Sequence, residues 1–300
     1  MYSLTDPRAG LTPAVQKSRP TRFGNAAYAR FYETPPQQTA AGVKSWLARG
    51  QNFLTRYSEA DPGVVLSREE QPDEYAILLP RHDTRIEIEW GGTRTPVSGN
   101  GLAFIPPGSS SIRVVAGGPV VSIFTTRAAD LVSLCVNASD YEPDPNVPEL
   151  IDWPEPPSGW KVRGYSLDVP PQEGRFGRIF RCTTIMINAL DVRTGPRDPR
   201  SLSPHDHDEF QQGSLAIEGE YVHHLRWPWT SDATLWRDDE HEQCRSPSIV
   251  FIPARVLHTS QAMGEGHNEM YDLFCPPRMD FSRKPGWVLN EADYPDLPPA

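Results

Sequence analysis

Short apolar runs and alternating stretches, not helical stripes, organise this chain. Residues 63–66 (GVVL) and 75–79 (YAILL) are apolar runs, and Arg85-Ile86-Glu87-Ile88-Glu89-Trp90 alternates with period two, as a half-buried strand does. Gly91-Gly92 marks a turn, and strand signals continue at 101–105, 112–115 and 119–125. They return at 179–187, 214–225, 234–236, 248–252 and 270–274. Residues 42–54 read as either a short helix or a first strand. Between the two series, residues 140–157 are acidic and hold Pro143, Pro145, Pro148, Pro154, Pro156 and Pro157, which reads as a linker.

Proline changes the picture most. The chain has 32 in 300 residues, roughly twice the average share. Proline breaks helix interiors and suits turns and strand ends, so an all-β, loop-rich fold is expected. The expected layout is an N-terminal arm (1–44), a β unit (45–140), a proline-rich linker (141–159), a second β unit (160–280) and a tail (281–300). Tyr28, Phe31 and Tyr32 would order part of the arm against a barrel or a second subunit. The segment 281–294 would cap a barrel or cross to another subunit. Residues 100–108 (NGLAFIPPG) resemble 247–255 (PSIVFIPAR), each a buried strand and a Pro-anchored turn, as two copies of one unit would show.

The formal charge is −10, with 29 Lys+Arg against 39 Asp+Glu, which disfavours a nucleic-acid partner. No apolar run approaches the ~18 residues of a membrane span, and residues 1–24 lack an apolar signal core. A soluble, cytoplasmic protein with no membrane partner is expected. Cys135, Cys182, Cys244 and Cys275 form no CxxC and read as buried thiols.

The chemistry gathers in the second unit, where seven of the eight histidines lie between 205 and 267. His205 and His207, two apart on extended backbone, point to one face and can share a metal. Gln212 follows within reach, and His258 comes just after Ile252-Pro253. Three neutral imidazoles and a carbonyl oxygen suit Fe, Mn, Ni, Cu or Zn. His223 and His224 face opposite sides of their strand. The one lining the interior, taken as His223, is a candidate acid or base, with a merely structural histidine the competing reading. His241 and His267 read as solvated. Tyr221, Trp227 and Trp229 are expected to pack in the core rather than form a pocket wall.

His205-x-His207, four residues, Gln212, six residues and Gly219 resemble the first motif of the cupin superfamily (HxH, three or four residues, Glu, six residues, Gly). Pro253-Ala-Arg-Val-Leu-His258 resembles the second (PxGxxH). The resemblance implies two tandem cupin jelly-roll barrels of the RmlC-like kind. It also implies one divalent transition metal (Fe, Mn, Ni or Zn) in the C-terminal barrel, on His205, His207, Gln212 and His258. Gln212 replaces the usual Glu, with Gln211 the neighbouring candidate. Arg255 replaces the motif glycine, where its guanidinium would meet a substrate carboxylate. Residues 106–111 (PPGSSS) follow the second motif with Ser111 in the histidine position, and His82 stands alone, so the N-terminal barrel reads as degenerate. The implied function is an Fe(II)-type dioxygenase acting on a small hydroxylated or dicarbonyl substrate, expected to be anionic because Arg255 would hold it. The alternatives are a non-redox lyase or isomerase of a sugar acid or hydroxy acid, and a non-catalytic binding bicupin. A homodimer is expected by resemblance.

Overall fold

Antiparallel strands carry almost all of the computed structural model, which describes residues 22–230 and 232–297. The part of the arm before residue 22 and the last three residues lie outside the described residues. Among these, α-helix is confined to the single turns Ala129–Val132 and Met279–Ser282.

Each half is a large sheet facing a small one. In the first, the large sheet runs Arg163–Ser166, Gly101–Ile105, Tyr75–Leu79, Gly118–Thr125, Phe53–Ala60, Val43–Arg49 and Gln38–Ala40. The small sheet runs Val65–Gln71, Gly108–Ala116, Arg85–Trp90 and Thr93–Ser98. In the second half, the large sheet runs Ala27–Arg30, Ser248–Ile252, Gln211–Glu218, His267–Cys275, Met186–Ala189 and Arg178–Arg181. The small sheet is Glu240–Arg245, Glu220–Arg226 and Leu257–Ala262.

Two strands cross the boundaries drawn from composition. Ala27–Arg30, from the expected arm, pairs with Ser248–Ile252 of the second half. Arg163–Ser166, placed in the second unit by its position after the linker, pairs with Gly101–Ile105 of the first. Each half therefore completes the other's sheet. Residues 42–54, read as helix or strand, hold the strand Val43–Arg49. Three local expectations change. The expected strand 214–225 is divided between two strands, Gln211–Glu218 and Glu220–Arg226. The expected strand 179–187 is a hairpin, turned at Thr183-Thr184 with Cys182 N–H donating to the Ile185 carbonyl at 2.9 Å. Residues 234–236 belong to a 3-10 turn, because the Asp232 carboxylate accepts from Thr234 N at 2.9 Å and so caps it.

The apolar faces of the two large sheets meet in one core, with Phe53, Tyr57 and Phe104 from one side and Phe31, Phe180, Leu215, Phe251 and Leu273 from the other. Phe53 and Phe251 have ring centroids 5.1 Å apart. Gly213 lies beneath them; a Cβ there would stand 2.8 Å from Phe53 Cζ, so the close approach needs glycine. The tail also closes this core. Tyr294 is fully buried, and its hydroxyl donates to Glu74 Oε1 at 2.6 Å, while Arg181 donates to the Tyr294 carbonyl at 2.7 Å.

Phe53→Ala removes a fully buried ring from the junction of the barrels and is expected to cost about 3–5 kcal/mol. Equilibrium urea denaturation measures it, and a loss below about 1 kcal/mol would show that the halves do not depend on this contact.

Candidate metal centre

Two backbone contacts bring the three histidines together. His205 and His258 bridge, with N–H donating to carbonyl at 3.0 and 2.9 Å in the two directions. Arg255 N–H donates to the His207 carbonyl at 2.6 Å. Arg255 has φ 64°, the left-handed conformation that the motif glycine would take, so the turn keeps its shape despite the substitution.

The imidazole centroids lie 4.7 Å (His205–His207), 4.6 Å (His205–His258) and 5.3 Å (His207–His258) apart. One nitrogen from each lies within 4.8 Å of the others, and this is the single such His/Cys/Asp/Glu cluster among the described residues. His205 Nδ1 meets the Ser203 carbonyl at 2.7 Å, and His258 Nδ1 meets the Val256 carbonyl at 2.8 Å. A carbonyl only accepts, so both Nδ1 atoms carry the proton and both Nε2 atoms keep a lone pair. Such second contacts fix ring orientation at metal sites. Phe210 packs 4.5 Å from the His207 ring and Phe274 6.5 Å from it.

Strand alternation separates the two glutamines. Gln211 faces the first barrel, where its Oε1 accepts from Gln51 N at 2.8 Å and Asn52 N at 2.9 Å. Gln212 faces the barrel interior, level with Phe274 and Ile252. Its Nε2 lies 3.3 Å from Asp272 Oδ1 and 3.3 Å from Ser214 Oγ, and its Oε1 is buried with no donor. Three imidazoles and an amide oxygen without a donor fit a divalent transition ion.

His223 is the inward member of its pair. It is 1% exposed, with Nδ1 2.8 Å from Ser260 Oγ, and burial pushes its pKa down to about 3. It is therefore a neutral hydrogen-bonding group at pH 7 rather than a strong base. His224 faces outward, with Nδ1 2.7 Å from His241 Nδ1. Arg255 lines an open cleft of about 840 Å³ with Asp206, Trp227, Trp229 and Leu257, and its guanidinium lies 3.8 Å from Asp208. Tyr221 and Trp227 are buried, but Trp229 is 76% exposed and stacks on Trp236 at 4.4 Å; its expected place in the core is corrected.

Four residues that the sequence reading missed shape the interior. Asp272 sits in the apolar run 270–275 (MYDLFC) of its strand and accepts from Ser214 Oγ at 2.7 Å. Asn188, level with Asp272, is fully buried, and neither of its amide atoms is hydrogen-bonded. Tyr28 projects from the exchanged strand to within 6.4 Å of the His223 ring. Arg278 is 1% exposed, with its guanidinium over the rings of Phe210, Phe274 and Phe281, and Asp280 takes two of its donors at 3.0 and 2.6 Å. A lone charge in an apolar run was the available signal for Asp272.

The first barrel is built differently. Its interior is filled by Leu54, Ile77, Ile88, Ile105, Ile112 and Phe124. A register shift between Gly108 and Ser110 turns Ser110 inward, onto the Tyr75 hydroxyl at 2.8 Å, and leaves Ser111 only partly buried. His82 is exposed.

Two such barrels in tandem, one lined with histidines and the other filled, define a bicupin: the fold is a cupin fold. No family model matches the sequence, and no curated protein matches it. The likeness is structural. Oxalate decarboxylase of Lactobacillus farciminis, in a formate complex, superposes with a TM-score of 0.57 at 12% identity, over 93% of this chain and 90% of that one. Bacillus subtilis oxalate decarboxylase, in a study of its Mn(II) centres, gives 0.56 at 14% identity, over 87% and 79%. AerE from Microcystis aeruginosa gives 0.54 at 9% identity, over 85% and 98%. Among the described residues, no helix is long and apolar enough to cross a membrane.

His258→Ala is expected to lower bound metal from about one equivalent per chain to a small fraction of that, by elemental analysis of dialysed protein. Gln211→Ala is expected to keep the metal and cost about 1–3 kcal/mol in urea denaturation, because two buried amides lose their acceptor. Metal lost in Gln211→Ala would reverse the assignment of the two glutamines.

Proposed function

We propose that the second barrel is the active centre of a metal-dependent enzyme that cleaves a carbon–carbon bond in a small hydroxylated or dicarbonyl acid. The observation that carries this reading is the cluster of three imidazoles, two with the tautomer held by backbone carbonyls, in a barrel whose interior also holds a buried amide oxygen without a donor. A divalent ion bound there supplies Lewis acidity and, as iron, redox chemistry with dioxygen.

The chain's own groups do the rest. All four ligands are neutral, so they leave the ion's charge uncompensated, and that favours an anionic substrate. Asn188 and Ser248 Oγ are buried polar groups with no protein partner, and a substrate rich in oxygen would satisfy them. His223, held at Ser260, hydrogen-bonds as a neutral ring and orients such a substrate. Arg255, whose backbone N–H holds the His207 carbonyl, is the cation for the substrate's anionic group, and Arg278, with its donors on Asp280, lies one aromatic ring from His207. Phe210, Phe274 and Phe281 keep water away from that end.

The first reading of the reaction is an Fe(II) dioxygenase. A non-redox lyase or isomerase using Mn, Ni or Zn is the second, favoured by the amide of Gln212 in place of a carboxylate. The fold it shares with oxalate decarboxylases agrees with a small anionic substrate. The four buried thiols fit a reducing compartment, the cytoplasm, and a homodimer would follow cupin habit.

The test is oxygen uptake by metal-reconstituted protein with a panel of small hydroxy and dicarbonyl acids, in air and under nitrogen. Turnover with Fe(II) that stops under nitrogen is the expected result. Turnover under nitrogen with Mn, Ni or Zn would establish the lyase or isomerase instead. Saturable binding without turnover under any condition would make the chain a binding protein.

A further inference from the structure

Gln212 stands where the cupin motif has a glutamate, and its surroundings give a reason. Its neighbour across the sheet is Phe274, and the next inward-facing pair along the two strands is Ser214 with Asp272. Asp272 Oδ1 accepts from Ser214 Oγ at 2.7 Å and lies 3.3 Å from Gln212 Nε2. Having given its proton to Asp272, the Ser214 hydroxyl can only accept from Gln212, at 3.3 Å. Both groups facing that branch of the amide are acceptors. The branch must therefore be the NH2, and Oε1 must be the atom turned away from Asp272.

We infer that Asp272 is a positioning residue. Through Ser214 and Gln212 Nε2 it locks the amide so that the carbonyl oxygen is offered as the fourth ligand beside His205, His207 and His258. It also restores, one residue further out, the negative charge that the centre loses when Glu is replaced by Gln. The two positions form a matched pair. A glutamate at 212 would set two carboxylates about 3.3 Å apart in a buried site, where both cannot readily stay charged. An amide at 212 with a carboxylate at 272 avoids that and keeps one net negative charge. Exchanging the two groups, by Gln212→Glu together with Asp272→Asn, would keep the same charge and mirror the hydrogen bond. This assignment rests on the reading of the three histidines as ligands.

The experiment is a double-mutant cycle on the full chain with Co(II) as the probe: wild type, Asp272→Asn, Gln212→Glu, and the two combined. Co(II) affinity, the visible Co(II) spectrum and the melting temperature of the metal-free protein are read for each. An asparagine at 272 can accept or donate, so it no longer dictates the amide's orientation. Asp272→Asn is expected to weaken Co(II) binding about tenfold or more and to alter the spectrum, while the metal-free melting temperature stays near wild type. Gln212→Glu alone is expected to lower the metal-free melting temperature, by repulsion from Asp272. The combined variant is expected to recover both the melting temperature and Co(II) affinity to within about threefold of wild type. A purely structural role for Asp272 would not give that recovery. Asp272→Asn binding Co(II) as tightly as wild type with an unchanged spectrum, or a combined variant no better than Asp272→Asn, overturns this assignment alone. A wild-type chain that takes up no Co(II) overturns the histidine centre and this assignment together.

Discussion

The strand Gln211–Glu218 has no side open to solvent until it reaches Glu218. Gln211, Gly213, Leu215 and Ile217 face the first barrel, while Gln212, Ser214 and Ala216 face the interior of the second. Because side chains alternate with period two, one strand anchors the two halves and furnishes the candidate centre at once. A slip of one residue would put Gln212 among the apolar residues between the barrels and Leu215 into the polar interior. Contacts on the far face guard against the slip. Gln211 Oε1 holds two backbone amides of the first barrel, and Gly213 admits the ring of Phe53. The geometry of the metal ligands is thus tied to packing that no ligand touches.

The same frame has been filled in two ways. In the first barrel, apolar side chains occupy the interior, and the buried guanidinium groups of Arg56 and Arg68 lie over Phe124 at 5.5 and 5.3 Å. Arg68 is neutralised by Asp130. That barrel lends its large sheet as a rigid wall to the other. In the second barrel, buried polar groups line the interior on both sheets: Gln212, Ser214, Asp272 and Asn188 on the large one, His223, His258 and Ser260 on the small one. An interior of that kind costs stability unless its polar groups find partners, about 1–3 kcal/mol for each one left unmet. The filled barrel and the core between the barrels can offset that cost, which is a physical reason for joining a barrel without a centre to one that has it.

Residues close in sequence told most of this story in advance. The alternation at Arg85–Trp90, the runs at Tyr75–Leu79 and Ser248–Ile252, and the spacing from His205 through Gly219 to His258 all depend on local periodicity, and they are strands and a histidine cluster in the fold. What stayed hidden depends on distance along the chain. Nothing local in Ala27–Arg30 points to Ser248–Ile252, and nothing in Arg163–Ser166 points to Gly101–Ile105. Asp272 and Asn188 are single polar residues within short apolar runs, and only the register across three strands places them on one face.

The tail completes the picture, because it does more than end the chain. Residues after Cys275 turn back so that Arg278 lies over Phe210, Phe274 and Phe281, while Val288 bridges to Ile179. Phe210 touches His207, so the aromatic group that holds Arg278 also packs against a ligand ring. Tyr294 then reaches the first barrel at Glu74. One short segment therefore seals the triad's end of the second barrel with a buried cation and fastens that seal to the neighbouring barrel. The exchanged strand does the corresponding work at the opposite edge of the same sheet, where it brings Tyr28 alongside His223. The centre is flanked by the strand Ala27–Arg30 and the segment 276–294, and both are held in place by contacts between the halves. Its enclosure is thus a property of the whole bicupin, and the second barrel on its own would lack the parts that shield it.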